Sequence, residues 1–233
     1  MLIRPGNTKL GEVPCFSILA LETCPGATEA CLAHCYARKR FFKMPGVRTC
    51  HRRNWEDTEE PGFPRQMIDE IKQMELKLLR VHVAGDFYDA GYVRKWIKIA
   101  EHCPEVTFYT YTRSWQKQKM LPALMGLGLL DNFKLWWSCD IDTHTDAGPP
   151  PEVPDIPVAY MQSEHDEPVP AYTNLVFRVH RDTIEKSIAG HLVCPAENGI
   201  KPKRPCSECQ LCWTNRVAPR RRRAKQTAEP AVS

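Results

Sequence analysis

The chain has 233 residues, 42% of them hydrophobic and 26% charged, which is enough to bury one substantial core with a small appendage and too apolar for disorder over most of its length. The longest uncharged apolar runs, residues 15–21 and 121–130, fall short of the roughly 18 to 20 residues a membrane helix needs, and residues 1–4 open no secretory signal, so the expectation is a cytoplasmic protein with no membrane contact. The net charge of +4 lies wholly beyond residue 215, where Arg216, Arg220, Arg221, Arg222, Arg223 and Lys225 face Glu229 alone, leaving a near-neutral body.

In chain order, residues 15–22 (CFSILALE) form a short apolar run between Pro14 and Thr23-Cys-Pro-Gly, which predicts a first buried strand. A helix is expected over 27–42, capped by Thr28 and stopped by Pro45-Gly46. Residues 64–79 place Met67, Ile68, Ile71, Met74 and Leu78 near a 3.6 period, and 80–85 (RVHVAG) alternate as a strand does. The same helix-then-strand unit recurs as 92–100 with 105–112, and again as 120–130 with 133–138. Three such units in succession predict a right-handed parallel α/β arrangement. Prolines at 149–151, 154 and 157 then mark a loop, and 156–161 and 174–179 read as two further strands with little room for helices between them. The fold class is therefore α/β, a partial or irregular parallel (β/α) barrel over residues 1–189. A small cysteine-rich metal module over 190–215 and a disordered basic tail over 216–233 follow it. Arg220 to Arg223 in that tail suit contact with a nucleic-acid backbone, or simply keep the chain soluble.

Eleven cysteines are too few for a disulfide scaffold and too clustered for core filler, which in a reducing compartment points to metal. Cys194, Cys206, Cys209 and Cys212 form a C-x11-C-x2-C-x2-C pattern whose two-residue gaps let thiolates converge on one centre. Four such ligands suit a 4Fe–4S cluster, or tetrahedral zinc with a purely stapling role. Cys24, Cys31 and Cys35 follow the first strand; Cys31 and Cys35 share a helix face and Cys24 precedes it. Three ligands leave one metal position open for a small molecule, unless the helix cysteines serve as small hydrophobes.

In parallel α/β folds, ligands bind at the C-terminal edge of the strands. Gly85 and Asp86 end the second predicted strand, Thr112 and Arg113 the third, Ser138 the fourth. Asp86 is the candidate acid, base or ligand-gripping carboxylate, with a helix cap as its plainer role, and Arg113 is the candidate partner for a carboxylate or phosphate. No phosphate loop, no dinucleotide glycine fingerprint, no His-Glu-x-x-His and no Gly-x-Ser-x-Gly occurs, which removes most NTPase, Rossmann, zincin and α/β-hydrolase assignments.

The stretches Asn7-x-Lys9-Leu10-Gly11, Thr23-Cys24-Pro25-Gly26-Ala27, Cys35-Tyr36-Ala37, His82-x-x-Gly85-Asp86-Phe87-Tyr88, Tyr111-Thr112-Arg113-Ser114-Trp115 and Cys206-x-x-Cys209-x-x-Cys212-Trp213 resemble the gene product 88 proteins of actinobacterial phages and prophages. Their layout also resembles radical S-adenosylmethionine enzymes at a distance. That likeness implies a 4Fe–4S cluster on Cys24, Cys31 and Cys35, and S-adenosylmethionine held near Tyr36, Gly85, Asp86, Thr112 and Ser138. It further implies catalytic roles for Asp86 and Arg113, and a second cluster on Cys194, Cys206, Cys209 and Cys212. The cysteine spacing departs from that pattern, with six and three intervening residues where such enzymes usually have three and two. The competing expectations are a zinc-containing enzyme that modifies or exchanges nucleic-acid bases, and a non-catalytic metal-stapled binder of nucleic acid or protein.

Overall fold

The chain is described by a computed structural model over residues 1–214; the basic tail expected from residue 216 lies outside the described residues. Eight strands form one sheet: β1 (Cys15–Phe16), β2 (Leu78–Val81), β3 (Thr107–Thr112), β4 (Phe133–Cys139), β5 (Val158–Gln162), β6 (Leu175–Arg178), β7 (Ser187–Ile188) and β8 (His191–Val193). Their spatial order is β1-β2-β3-β4-β5-β6-β8-β7. Every pairing between these strands is parallel except the β7–β8 hairpin, and Arg4 adds an isolated antiparallel bridge to Cys15 at the β1 edge. From β1 to β6 the order runs with the chain, so each crossover places the next strand beside the last; beyond β6 it reverses, with β8 beside β6 and β7 on the outside. The sheet does not close on itself: β1 and β7 are its two edges, so the α/β class expected from the sequence takes the form of a mostly parallel open sheet.

Among the described residues six α-helices accompany the sheet: α1 (Glu29–His34), α2 (Pro45–Glu59), α3 (Phe63–Gln73), α4 (Ala90–His102), α5 (Leu121–Gly128) and α6 (Cys206–Cys209). The single helix expected over 27–42 is instead α1 followed by two 3-10 turns, Tyr36–Arg38 and Arg40–Lys43. Pro45 does not stop a helix but begins α2, because proline lacks only an N–H that the first turn leaves unpaired in any case. The first strand is two residues long, not eight; Ile18 N–H still bonds Ala84 O at 3.1 Å, so the chain stays beside β2 after pairing formally ends.

α3, α4 and α5 bury their apolar stripes against one face of the sheet. Met67, Ile68 and Ile71 of α3, Trp96 and Ile99 of α4, and Leu124 and Leu127 of α5 join Phe16, Leu79, Val81, Phe108, Leu135, Trp137 and Tyr160 in the main core. Burying each such side chain contributes roughly 2 kcal/mol before entropy is counted. α4 starts where it does because Asp89 accepts from Tyr92 N–H at 2.8 Å.

Strand alternation sends the intervening residues to the other face. Tyr109, Tyr111, Trp136, Ala159, Leu175 and Phe177 pack there against Leu10, Val13, Cys194, Cys206, Cys212 and Trp213. The two ends of the described chain meet on that face: Cys206 N–H bonds Lys9 O at 2.8 Å and Ser207 N–H bonds Leu10 O at 3.1 Å. Gly11, at φ +69°, lies so close to Ser207 that a Cβ would stand 2.3 Å from its Oγ.

Candidate functional site

The segment that carries Cys24, Cys31 and Cys35 is tied down by the ends of three strands. Thr28 caps α1, its hydroxyl accepting from Cys31 N–H (3.1 Å) while donating to Asp140 Oδ2 (2.6 Å), and Asp142 accepts from Ala30 N–H (2.7 Å). Both acids follow β4. After β3, Gln116 donates to Gly26 O at 3.0 Å, and Gly26 approaches so closely that a Cβ would sit 2.3 Å from Arg113 O. After β2, Asp86 N–H bonds Thr23 O at 3.2 Å, and Gly85, at φ +83°, has Ile18 Cγ1 2.4 Å from the place a Cβ would take. Only glycine fits both conditions there.

Asp86 is buried, and its carboxylate accepts from Phe87 N–H (2.7 Å) and Arg113 N–H (2.9 Å). The cap of α4 is Asp89, so Asp86 joins the β2 and β3 loops rather than a helix end. Burial raises its pKa, while hydrogen bonds from Thr112, Arg113, Phe87 and Ser114 oppose the rise. Arg113 is buried too, with its guanidinium 3.2 Å from the fully buried Asp140 carboxylate and 3.4 Å from Cys139 O. Its Nε has no partner among the described residues. Burial, with Asp86 as the next cause, pushes the Cys24 thiol up to about 12. Burial likewise raises Cys31, against the pull of Arg113.

On the second sheet face, Cys194, Cys206, Cys209 and Cys212 line one tight pocket, with room of about 10 Å³, together with Leu175, Arg204 and Trp213. Trp136 Nε1 donates to Cys212 O (2.8 Å), Cys194 N–H donates to Val176 O (2.8 Å), and Trp213 packs on Tyr109 with ring centres 4.6 Å apart. Besides Arg204, two cations act on these cysteines from nearby. Arg80 from β2 stacks over Tyr109 and Tyr111, at 5.0 and 4.5 Å from the ring centres. Lys9 pairs with Glu197 at 2.5 Å, and Arg181 joins the same carboxylate at 3.1 Å. Burial raises Cys206 against the pull of Lys9 and Arg80. Burial also holds Cys212 up at about 11, opposed by a hydrogen bond from Tyr111 and by the same two cations.

Among the described residues, no three Cys, His, Asp or Glu side chains already converge as a coordination shell. The surroundings of both thiol groups nonetheless suit an anionic thiolate-held centre. Among the described residues, Arg80 Nε and the Tyr109 hydroxyl are buried without hydrogen-bond partners beside the four-cysteine pocket, as is Arg113 Nε beside the three-cysteine segment. Unsatisfied donors of this kind cost roughly 1–3 kcal/mol each and are rare without a reason.

Of the sequence candidates, Cys24, Cys31, Gly85, Asp86, Thr112 and Arg113 are brought together at the C-terminal strand edge, with Cys35 at the end of α1. Tyr36 turns its hydroxyl in to Val83 O and leaves its ring 55% exposed. Ser138 contributes through its carbonyl, which accepts from Trp115 Nε1 at 3.0 Å. The sequence does not mark Thr28, Gln116, Lys9, Arg80 or Glu197 as site residues. Asp140 and Asp142, expected at the mouth as acids after the fourth strand, stand there as the carboxylates that dock α1. Among the described residues no helix is long and apolar enough to cross a membrane.

The chain resembles the Gene 88 proteins of Mycobacterium phages L5 and D29, with 30% identity to each over 131 residues, covering 52% of this chain and 53% of theirs. It thus spans about half the length of the curated relatives it matches. No solved structure matches it. The family model described as Gene product 88 matches residues 2–215, nearly all of the body built around the two cysteine groups, and the chain belongs to that family.

Proposed function

We propose that the chain is an iron–sulfur enzyme of the radical S-adenosylmethionine kind, with an open cluster on Cys24, Cys31 and Cys35 and a closed one on Cys194, Cys206, Cys209 and Cys212. The observation that carries this reading is the placement of three thiols after β1, at the C-terminal edge of a sequentially ordered parallel sheet, beside a buried arginine with an unpartnered Nε. The strand order is also what a partial barrel needs. When bound, a cluster with one free iron position supplies an electron to a molecule coordinated there.

The protein's own part is orientation and charge balance. Arg113 offers its Nε to a carboxylate such as that of an amino-acid moiety, while Asp140 fixes its guanidinium plane. Asp86 spends both oxygens on backbone N–H groups, so it holds the β2 and β3 loops at the mouth and presents Gly85 and Thr112 to a bound molecule. Lys9 and Arg80 offset the negative charge of four thiolates on the other face.

The test is iron, acid-labile sulfide and a visible spectrum on protein purified without oxygen, followed by assay of S-adenosylmethionine cleavage after reduction. About eight iron and eight sulfide per chain, with cleavage, is the expected result. Colourless protein carrying zinc overturns the reading and favours a zinc enzyme acting on nucleic-acid bases.

A further inference from the structure

From Glu29 to Glu56 the intervening chain contains no acidic residue. Immediately after Cys35 it places Arg38, Lys39, Lys43, Arg48, Arg52 and Arg53 on the surface. Among the described residues, an acidic side chain stands within 4 Å only of Arg48 of this set, where Glu22 is 3.9 Å away; Arg38 and Arg53 reach backbone carbonyls of Leu32 and Met1. Rings are interleaved with the cations. Phe41 is 60% exposed and Tyr36 55%, and Phe42 joins them at 5.9 and 5.6 Å between ring centres, with His51 6.0 Å beyond. The Tyr36 hydroxyl fastens this surface to Val83, just past the end of β2 and two residues before Gly85.

We propose that residues 36–53 form a binding surface for single-stranded nucleic acid and lead the strand to the Cys24/Cys31/Cys35 mouth. Unpaired cations neutralise phosphates and release counterions, and exposed rings offer stacking faces that duplex DNA, with its bases already stacked, cannot use. A nucleotide within a strand is then the substrate class of the enzyme. That last step rests on the function proposed above, whereas the binding surface itself does not.

The test is fluorescence anisotropy of the full chain with labelled single-stranded DNA and RNA of about twelve nucleotides, within one binding-site length, and with the matching duplex. Phe41→Ala is expected to weaken single-strand binding about tenfold, the loss of one stacked base. The combined variant Lys39→Ala, Lys43→Ala, Arg52→Ala is expected to reduce the salt slope by about 2, at about 0.7 per phosphate contact. All four side chains are exposed, and unchanged melting temperatures confirm that each variant folds. The same substitutions in a chain ending at residue 215 should have the same effects. Affinity and salt slope untouched by these variants, binding abolished by removing 216–233 alone, or tighter binding of the duplex would each overturn the proposal. Iron and sulfide are measured on the same preparations: strand binding without a cluster leaves the surface standing and removes the enzyme, while a cluster without strand binding does the reverse.

Discussion

Replacing Asp140 with Asn keeps the size of the side chain and removes its charge. Arg113, 9% exposed, then faces no carboxylate at 3.2 Å, and Thr28 loses a charged acceptor at 2.6 Å. Breaking one side of a buried ion pair costs about 3–5 kcal/mol, and weakening a charge-assisted hydrogen bond costs about 1 kcal/mol more. Part of this is recovered as the asparagine amide rearranges, so about 3 kcal/mol is the expected loss, or a fall of roughly 6–12 °C in Tm for a chain of this size. Thermal and urea unfolding of wild type, Asp140→Asn, Arg113→Met and the double variant measure it. The double variant should be more stable than the sum of the single losses predicts by about 1.5 kcal/mol or more, because removing both charges leaves neither stranded. Alkylation of Cys31 should also speed up in Asp140→Asn, since Thr28 no longer docks α1 on β4. Additive losses, or a Tm within about 2 °C of wild type, equivalent to less than about 1 kcal/mol, would refute the role given to this pair.

Gly85→Ala forces a side chain onto φ +83° and against Ile18; it should cost at least about 2 kcal/mol and lower metal uptake by the first cysteine group, both read on purified protein. Cys31→Ser and Cys206→Ser should each remove about four iron, one from each centre, and a single substitution that empties both would show that the groups do not load independently. Burial, with the Arg80 charge adding to it, lowers the His82 pKa to about 3. The unfolded imidazole, near 6.5, takes up protons first as pH falls, so this residue's contribution to stability is lost below about pH 6.5. The advantage of wild type over His82→Gln in urea unfolding should therefore shrink by about 2 kcal/mol between pH 7 and pH 5; a constant difference would exclude a buried neutral imidazole.

The repeating helix-then-strand units were legible in the sequence because their apolar periods switch cleanly, as from Ile68 and Ile71 in α3 to Leu79 and Val81 in β2. What failed was punctuation. Pro45 reads as a stop or a start with equal ease, and the β7–β8 hairpin turns on Ala189 at φ +47° before Gly190, a conformation alanine seldom signals. The cysteines, Asp86 and Arg113 stood out by residue type and by their place after strands. Lys9, Arg80 and Glu197 did not, because their meaning comes from contacts such as Lys9 to Glu197, which span 188 positions and leave no local period.

The meeting of residues 9–10 with 206–207 gives the molecule an order in time. During synthesis, β1 through β4 pair with their nearest predecessors, and Cys24, Cys31, Cys35, Asp86, Arg113 and Asp140 have all emerged before residue 150. The ribosome needs roughly 3 to 12 further seconds to deliver Cys194 through Cys212, and until then the opposite sheet face, with Arg80, Tyr109 and Tyr111, has only Leu10 and Val13 of its final cover. A nascent chain therefore finishes one thiol group early and exposes an aromatic, cationic surface while it waits for the other, which makes that interval the one most open to chaperones.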